Sequence, residues 1–105
     1  MDDKLMSDAF QLFLKESPQH AKAWMEAVRG LGAASALDEK TAALAYLAVL
    51  AARRLESGVP FHVAHAKKAG ASRGEVISAI LLGLPAAGNA VIQALPAAIQ
   101  AYDQV

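Results

Sequence analysis

The sequence predicts an all-α fold, a compact bundle of about six helices, on three observations. Alanine dominates, the strict apolar/polar alternation of strands is absent, and prolines and glycines fall where helices start and stop. A first helix is marked by Met6, Phe10, Phe13 and Leu14 at helical spacing. Ser17-Pro18 ends it and opens a second, with Ser17 as N-cap and Pro18 at the first helical position, where its missing N–H costs nothing. Trp24, Val28 and Leu31 line the second helix, with Trp24 expected in the core, and Gly30 or Gly32 is expected to close it.

The third helix, from about Leu37 to Glu56, is the longest and most apolar. Between Ala42 and Ala52 it has hardly any polar face, which predicts burial on more than one side, partly in a subunit interface. Gly58 ends it, Pro60 begins a short fourth helix, and Gly70 ends that one. Ser72-Arg73-Gly74-Glu75 has the spacing of a capping box, so a fifth helix begins there and carries Val76, Ile77, Ile80 and Leu81. Gly83 and Pro85 break the chain again. Val91, Ile92, Leu95, Ile99 and Tyr102 form the stripe of a sixth helix, which Pro96 should kink by removing one backbone hydrogen bond.

Composition bounds the function. The 105 residues make one domain, 55% hydrophobic and only 19% charged. That is more apolar surface than so small a monomer easily hides, which predicts self-association. Ten basic and ten acidic residues cancel, and Arg53-Arg54 and Lys67-Lys68 are isolated pairs, so no nucleic-acid footprint is expected. The chain has no cysteine, which excludes disulfides, thiolate metal sites and thiol catalysis and makes the cytoplasm the default location. The N-terminal MDDKLMSDAF is acidic and amphipathic, unlike a secretory signal, and the longest strictly apolar run falls short of the roughly 20 residues of a spanning helix, so no membrane partner is expected.

From residue 37 onward the order of motifs resembles the carboxymuconolactone decarboxylase family, which includes the alkylhydroperoxidase D-like proteins. The carriers are H-x3-A-G-A-S-x-x-E (His65, Ala69, Gly70, Ala71, Ser72, Glu75) and G-x-P-A-A-x-N-A (Gly83, Pro85, Ala86, Ala87, Asn89, Ala90). The resemblance implies an all-helical protein that assembles as a homotrimer or homohexamer. It also shows what is missing. Peroxidase-type members carry C-x-x-C-x-x-x-H, and counting back from His65 places Gly58 and Phe61 in the two cysteine positions. The acidic residue of their preceding helix falls on Tyr46 or, aligned on Leu37, on Ala43. Only His65 remains of that set, so thiol peroxidase activity does not carry over.

The candidate site is therefore the stretch SGVPFHVAH, residues 57–65. His65 is the first candidate acid/base, since an imidazole titrates near neutrality; the structural alternative is a helix-packing histidine whose partners are gone. His62, one turn earlier, shares its face, and Tyr46 is a candidate hydrogen-bond partner for either ring. Phe61 and Gly58 are candidate substrate-contacting residues, with Phe61 either walling a ligand pocket or filling the space where a thiol would react. Two histidines at i and i+3 fall short of a metal site without a third ligand, for which Glu56 and His20 are the only distant contributors, so neither a metal nor another cofactor is expected. Two functions stay open. One is a decarboxylase-like lyase or other proton-transfer enzyme on a small organic acid, its anion held by the N–H groups opening the fourth helix and its proton shuttled by His65. The other is a non-catalytic oligomer that binds a small ligand or uses the scaffold alone. On the acid/base reading the two rings are expected to mark the floor or rim of a cleft between the third and fourth helices, both neutral, with His65 the chemical group and His62 nearer solvent.

Overall fold

The computed structural model describes residues 5–105, so the first four residues of the acidic N-terminal stretch lie outside the described residues. All regular structure among the described residues is helical. The segments are α1 (Asp8–Glu16), α2 (Pro18–Ala34), α3 (Glu39–Ala52), a 3-10 turn (Glu56–Gly58), α4 (Val59–Lys68), α5 (Arg73–Leu81), α6 (Leu84–Ala87), α7 (Asn89–Ile92) and α8 (Leu95–Gln104). No helix among the described residues is long and apolar enough to cross a membrane.

The caps explain most boundaries. The Ser7 hydroxyl accepts from the Phe10 N–H at 3.1 Å and starts α1. Asp38 accepts from the Thr41 N–H at 2.7 Å, so α3 begins after Leu37, with the capping hydrogen bond holding the Asp38 carboxyl below its ordinary range. Ser72 and Glu75 form the expected capping box at the head of α5. At α2, Ser17 does occupy the N-cap position, but its hydroxyl is hydrogen-bonded to His20 Nδ1 instead of to a helix N–H.

Three boundaries differ from the expectation. Neither Gly30 nor Gly32 closes α2, which runs through both to Ala34. A glycine weakens a helix by only about 0.5–1 kcal/mol relative to alanine, so it does not stop one unless a turn competes. The third helix ends at Ala52, short of Glu56. There Arg54 takes a left-handed φ of 58°, and the Leu55 N–H returns to the Leu50 carbonyl at 2.9 Å. This is a Schellman-type stop built on a non-glycine residue. Pro96 does not kink a long last helix. The stretch is divided into α6, α7 and α8, with Gly88 at φ 63° between the first two and Pro96 in the opening turn of α8, where proline is tolerated.

The core is made by α3, α4, α5, α7 and α8. Leu47 of α3, Val59 and Val63 of α4, Val76 and Ile80 of α5 and Val91 of α7 are fully buried, with alanines such as Ala51, Ala66 and Ala98 letting the helix axes approach closely. Lys67 fastens the end of α8 to this core: its Nζ donates to the carbonyls of Tyr102 at 2.9 Å and Val105 at 2.7 Å, while the Tyr102 hydroxyl donates to the Ala71 carbonyl at 3.0 Å. The α1–α2 pair is attached more loosely. Within it only Ala21 is buried, and Trp24, expected in the core, is exposed on α2 together with Val28 and Leu31. The apolar all-round α3 is likewise divided: Ala43, Leu47, Leu50 and Ala51 face the core, and Tyr46 and Val49 are exposed.

Candidate functional site

The α1–α2 hairpin does not lie flush on the core. Between it and the wall made by α3, the 3-10 turn and the start of α4 is a half-open cavity of about 320 Å³. The hairpin side brings Met6, Phe10, Trp24, Met25 and Val28; the core side brings Tyr46, Leu50, Leu55, Gly58, Phe61 and His62. The left-handed turn at Arg54 positions part of this wall, because it folds Leu55 back over the end of α3 so that both Leu50 and Leu55 face the cavity. Gly58 is placed close against Leu50, whose Cδ2 would lie 3.6 Å from a Cβ built on that glycine.

Four of the five expected site residues thus meet in one place. The His62 ring is flanked by Tyr46, at 4.5 Å between centroids, and by Phe61, at 5.2 Å and near-perpendicular. Burial pushes the His62 imidazole below its ordinary pKa, and the neighbouring His65 adds to the same direction. The ring is neutral at neutral pH, with one nitrogen free to accept and the other to donate. Neither the His62 nitrogens nor the Tyr46 hydroxyl has a hydrogen-bond partner among the described residues.

His65 is the residue that does not join them. It lies outside the cavity lining, its side chain is 45% exposed, and its Nε2 faces the Glu39 carboxylate across 3.8 Å at the start of α3. The expected order of the two histidines is therefore reversed: His62 is the inner ring and His65 the one nearer solvent. A step of three residues along a helix turns the side chain by some 60°, enough to carry His65 around the edge of α4. The two rings face different surroundings, and no group of three metal-ligating side chains occurs among the described residues.

Sequence reasoning missed the contribution of the hairpin. Trp24 was read as core and is 57% exposed, with one face on the cavity. The signal was present in the spacing of Trp24, Val28 and Leu31, an apolar stripe with no second stripe assigned to cover it. Among the described residues no Asp, Glu, Lys or Arg lines the cavity, and the polar groups on its lining are Ser7, Tyr46, Ser57 and His62.

A helical core with a hairpin over an apolar cavity and one half-buried imidazole on its wall defines the class, and comparison with known proteins gives the family. The sequence model of the carboxymuconolactone decarboxylase family matches residues 18–100, and the chain belongs to that family. The fold is similar to the crystal structure of a carboxymuconolactone decarboxylase family protein from Legionella pneumophila, with a TM-score of 0.77 and 22% sequence identity over 91% of this chain and 86% of that one. No curated protein matches the chain.

Proposed function

We propose that the chain takes a small molecule into the cavity between the α1–α2 hairpin and the α3–α4 wall and exchanges a proton with it at His62, without thiol chemistry. The observation that carries this reading is the state of His62. It is half-buried on the cavity wall, kept neutral by its surroundings, and has no protein group competing for its ring nitrogens. A neutral imidazole with a free lone pair is a general base matched to neutral pH. The Tyr46 phenol beside it is a further group able to hydrogen-bond a guest.

A decarboxylase-like reaction on an organic acid, with His65 as the shuttle, draws little support from this arrangement. His65 is outside the cavity, and among the described residues no cation lines it to hold a carboxylate. A second reading, ligand binding without turnover, is favoured by one observation: among the described residues the cavity offers no carboxylate or second imidazole beside His62 to pass its proton onward. On both readings we propose a homotrimer or homohexamer, in which the exposed Trp24, Val28 and Leu31 of α2 and Val49 of α3 are covered by neighbouring copies.

The test uses Trp24, the only tryptophan, whose indole N–H resonance reports on the cavity. Three probes of one shape, 4-propylphenol, 4-propylbenzoate and 4-propylbenzylammonium, are titrated in turn. A saturable shift with at least one, lost in Val28→Phe, which fills the cavity, is the expected result. No saturable shift with any probe contradicts the reading.

A further inference from the structure

The ligand class can be read from the cavity itself, and this deepening rests on the reading that the cavity is a binding site. We propose that its ligand is an uncharged, largely apolar ring compound carrying one hydrogen-bonding oxygen, which lies against His62 and Tyr46.

Size comes first. A dry cavity of about 150 Å³ accepts a benzene molecule. At about 320 Å³ the present one has room for a substituted single ring or a small bicycle, and no more. Its walls suit such a guest. Phe10, Trp24 and Phe61 offer ring faces and edges, and the thioethers of Met6 and Met25 adapt to an irregular outline and make favourable contacts with aromatic rings.

Charge comes next, and here the sequence-level expectation of an organic acid is at odds with the site. Among the described residues the cations on the lining helices and their connections are Lys15, Lys22, Arg29, Lys40, Arg53, Arg54, Lys67 and Lys68, and none of them lines the cavity. Arg54 is held by Glu56 at 2.7 Å, Lys40 by Glu75 at 2.9 Å, and Lys67 by the end of α8. A carboxylate entering the cavity would shed water and meet no compensating charge among the described residues, which disfavours it. An ammonium ion fares no better, since no carboxylate of the described residues lines the cavity either.

Polarity fixes the last element. On the core side of the cavity one imidazole and one phenol, both without a partner among the described residues, stand adjacent to each other, with the Ser57 hydroxyl also on the lining. Together they serve a single oxygen: a hydroxyl donates to the imidazole nitrogen and accepts from Tyr46, and a carbonyl accepts from either. A polyol would leave most of its hydroxyls unpaired against apolar walls, and each such group costs binding energy.

The same three probes, with propylbenzene added, test the class at pH 8. The expected result is that 4-propylphenol binds at least tenfold more tightly than 4-propylbenzoate and 4-propylbenzylammonium, and several-fold more tightly than propylbenzene. The advantage over propylbenzene disappears in His62→Phe, which keeps a ring at that place but offers no nitrogen. Should the benzoate or the ammonium bind as tightly as the phenol, with the shift lost in Val28→Phe, the inference is overturned while the binding site stands. If none of the four shifts the Trp24 resonance, both fall together.

Discussion

The rings of Tyr46 and His62 stand 4.5 Å apart, bringing the middle of α3 and the first turns of α4 together at the cavity wall. By the motif spacing the resemblance to peroxidase-type members puts their acidic residue at Tyr46, or at Ala43 when aligned on Leu37, and their cysteines at Gly58 and Phe61. Of these positions Tyr46, Gly58 and Phe61 line the cavity together with His62.

The titration of His62 follows from its burial. Its folded-state pKa lies below the ordinary imidazole value of about 6.5, so the unfolded chain binds the proton more readily than the folded one. Above that pH the group has no effect on stability. As the pH falls below it, stability drops, and the loss is complete once the pH passes below the folded-state value. Urea unfolding of wild type and His62→Phe between pH 8 and pH 4.5 should show a steeper acid loss in wild type; parallel curves contradict the account.

The two glycines inside α2 give a prediction of opposite sign to the one at the end of α4. A Cβ on Gly30 or Gly32 meets nothing within 4 Å, so Gly30→Ala and Gly32→Ala should each stabilise the chain by about 0.5–1 kcal/mol. Gly70 has φ 101° and closes α4, with the Ala71 N–H bonded back to the Ala66 carbonyl at 2.9 Å. Gly70→Ala should destabilise by more than about 1 kcal/mol, since alanine resists that backbone conformation. Thermal or urea unfolding of the three variants measures all of these changes.

Self-association should depend on α2. Leu31 is 73% exposed on the same helix as the exposed Trp24 and Val28. Light scattering at micromolar concentration should give a trimer or hexamer of the 11.0 kDa chain, and Leu31→Glu should shift it to smaller species, because a buried carboxylate without a partner is costly. A wild-type mass of 11.0 kDa would refute the oligomer.

The helical fold was legible because its signals are local. Ser72 with Glu75, Pro60 and Gly70 act within a turn of where they stand in the sequence, and each marks the boundary it was read to mark. The end of α3 was hidden because an arginine holds the left-handed position that glycine usually fills. The site was half legible. His62, Tyr46, Phe61 and Gly58 could be grouped by their place in the motif, but which of two histidines at i and i+3 turns inward depends on how α4 rolls against α3. That in turn rests on Val59, Val63 and Ala66, the buried residues of α4. The hairpin wall is a long-range matter: nothing near Phe10 or Trp24 in sequence says that they face Tyr46 across a cavity.

The central claim is that His62, and not His65, is the working group, and ¹⁵N NMR of the two imidazoles during addition of 4-propylphenol tests it most directly. The account predicts that the His62 ring nitrogens shift saturably, with the same midpoint as the Trp24 indole, while those of His65 stay in place beside Glu39. A saturable response at His65 with His62 unmoved would contradict it.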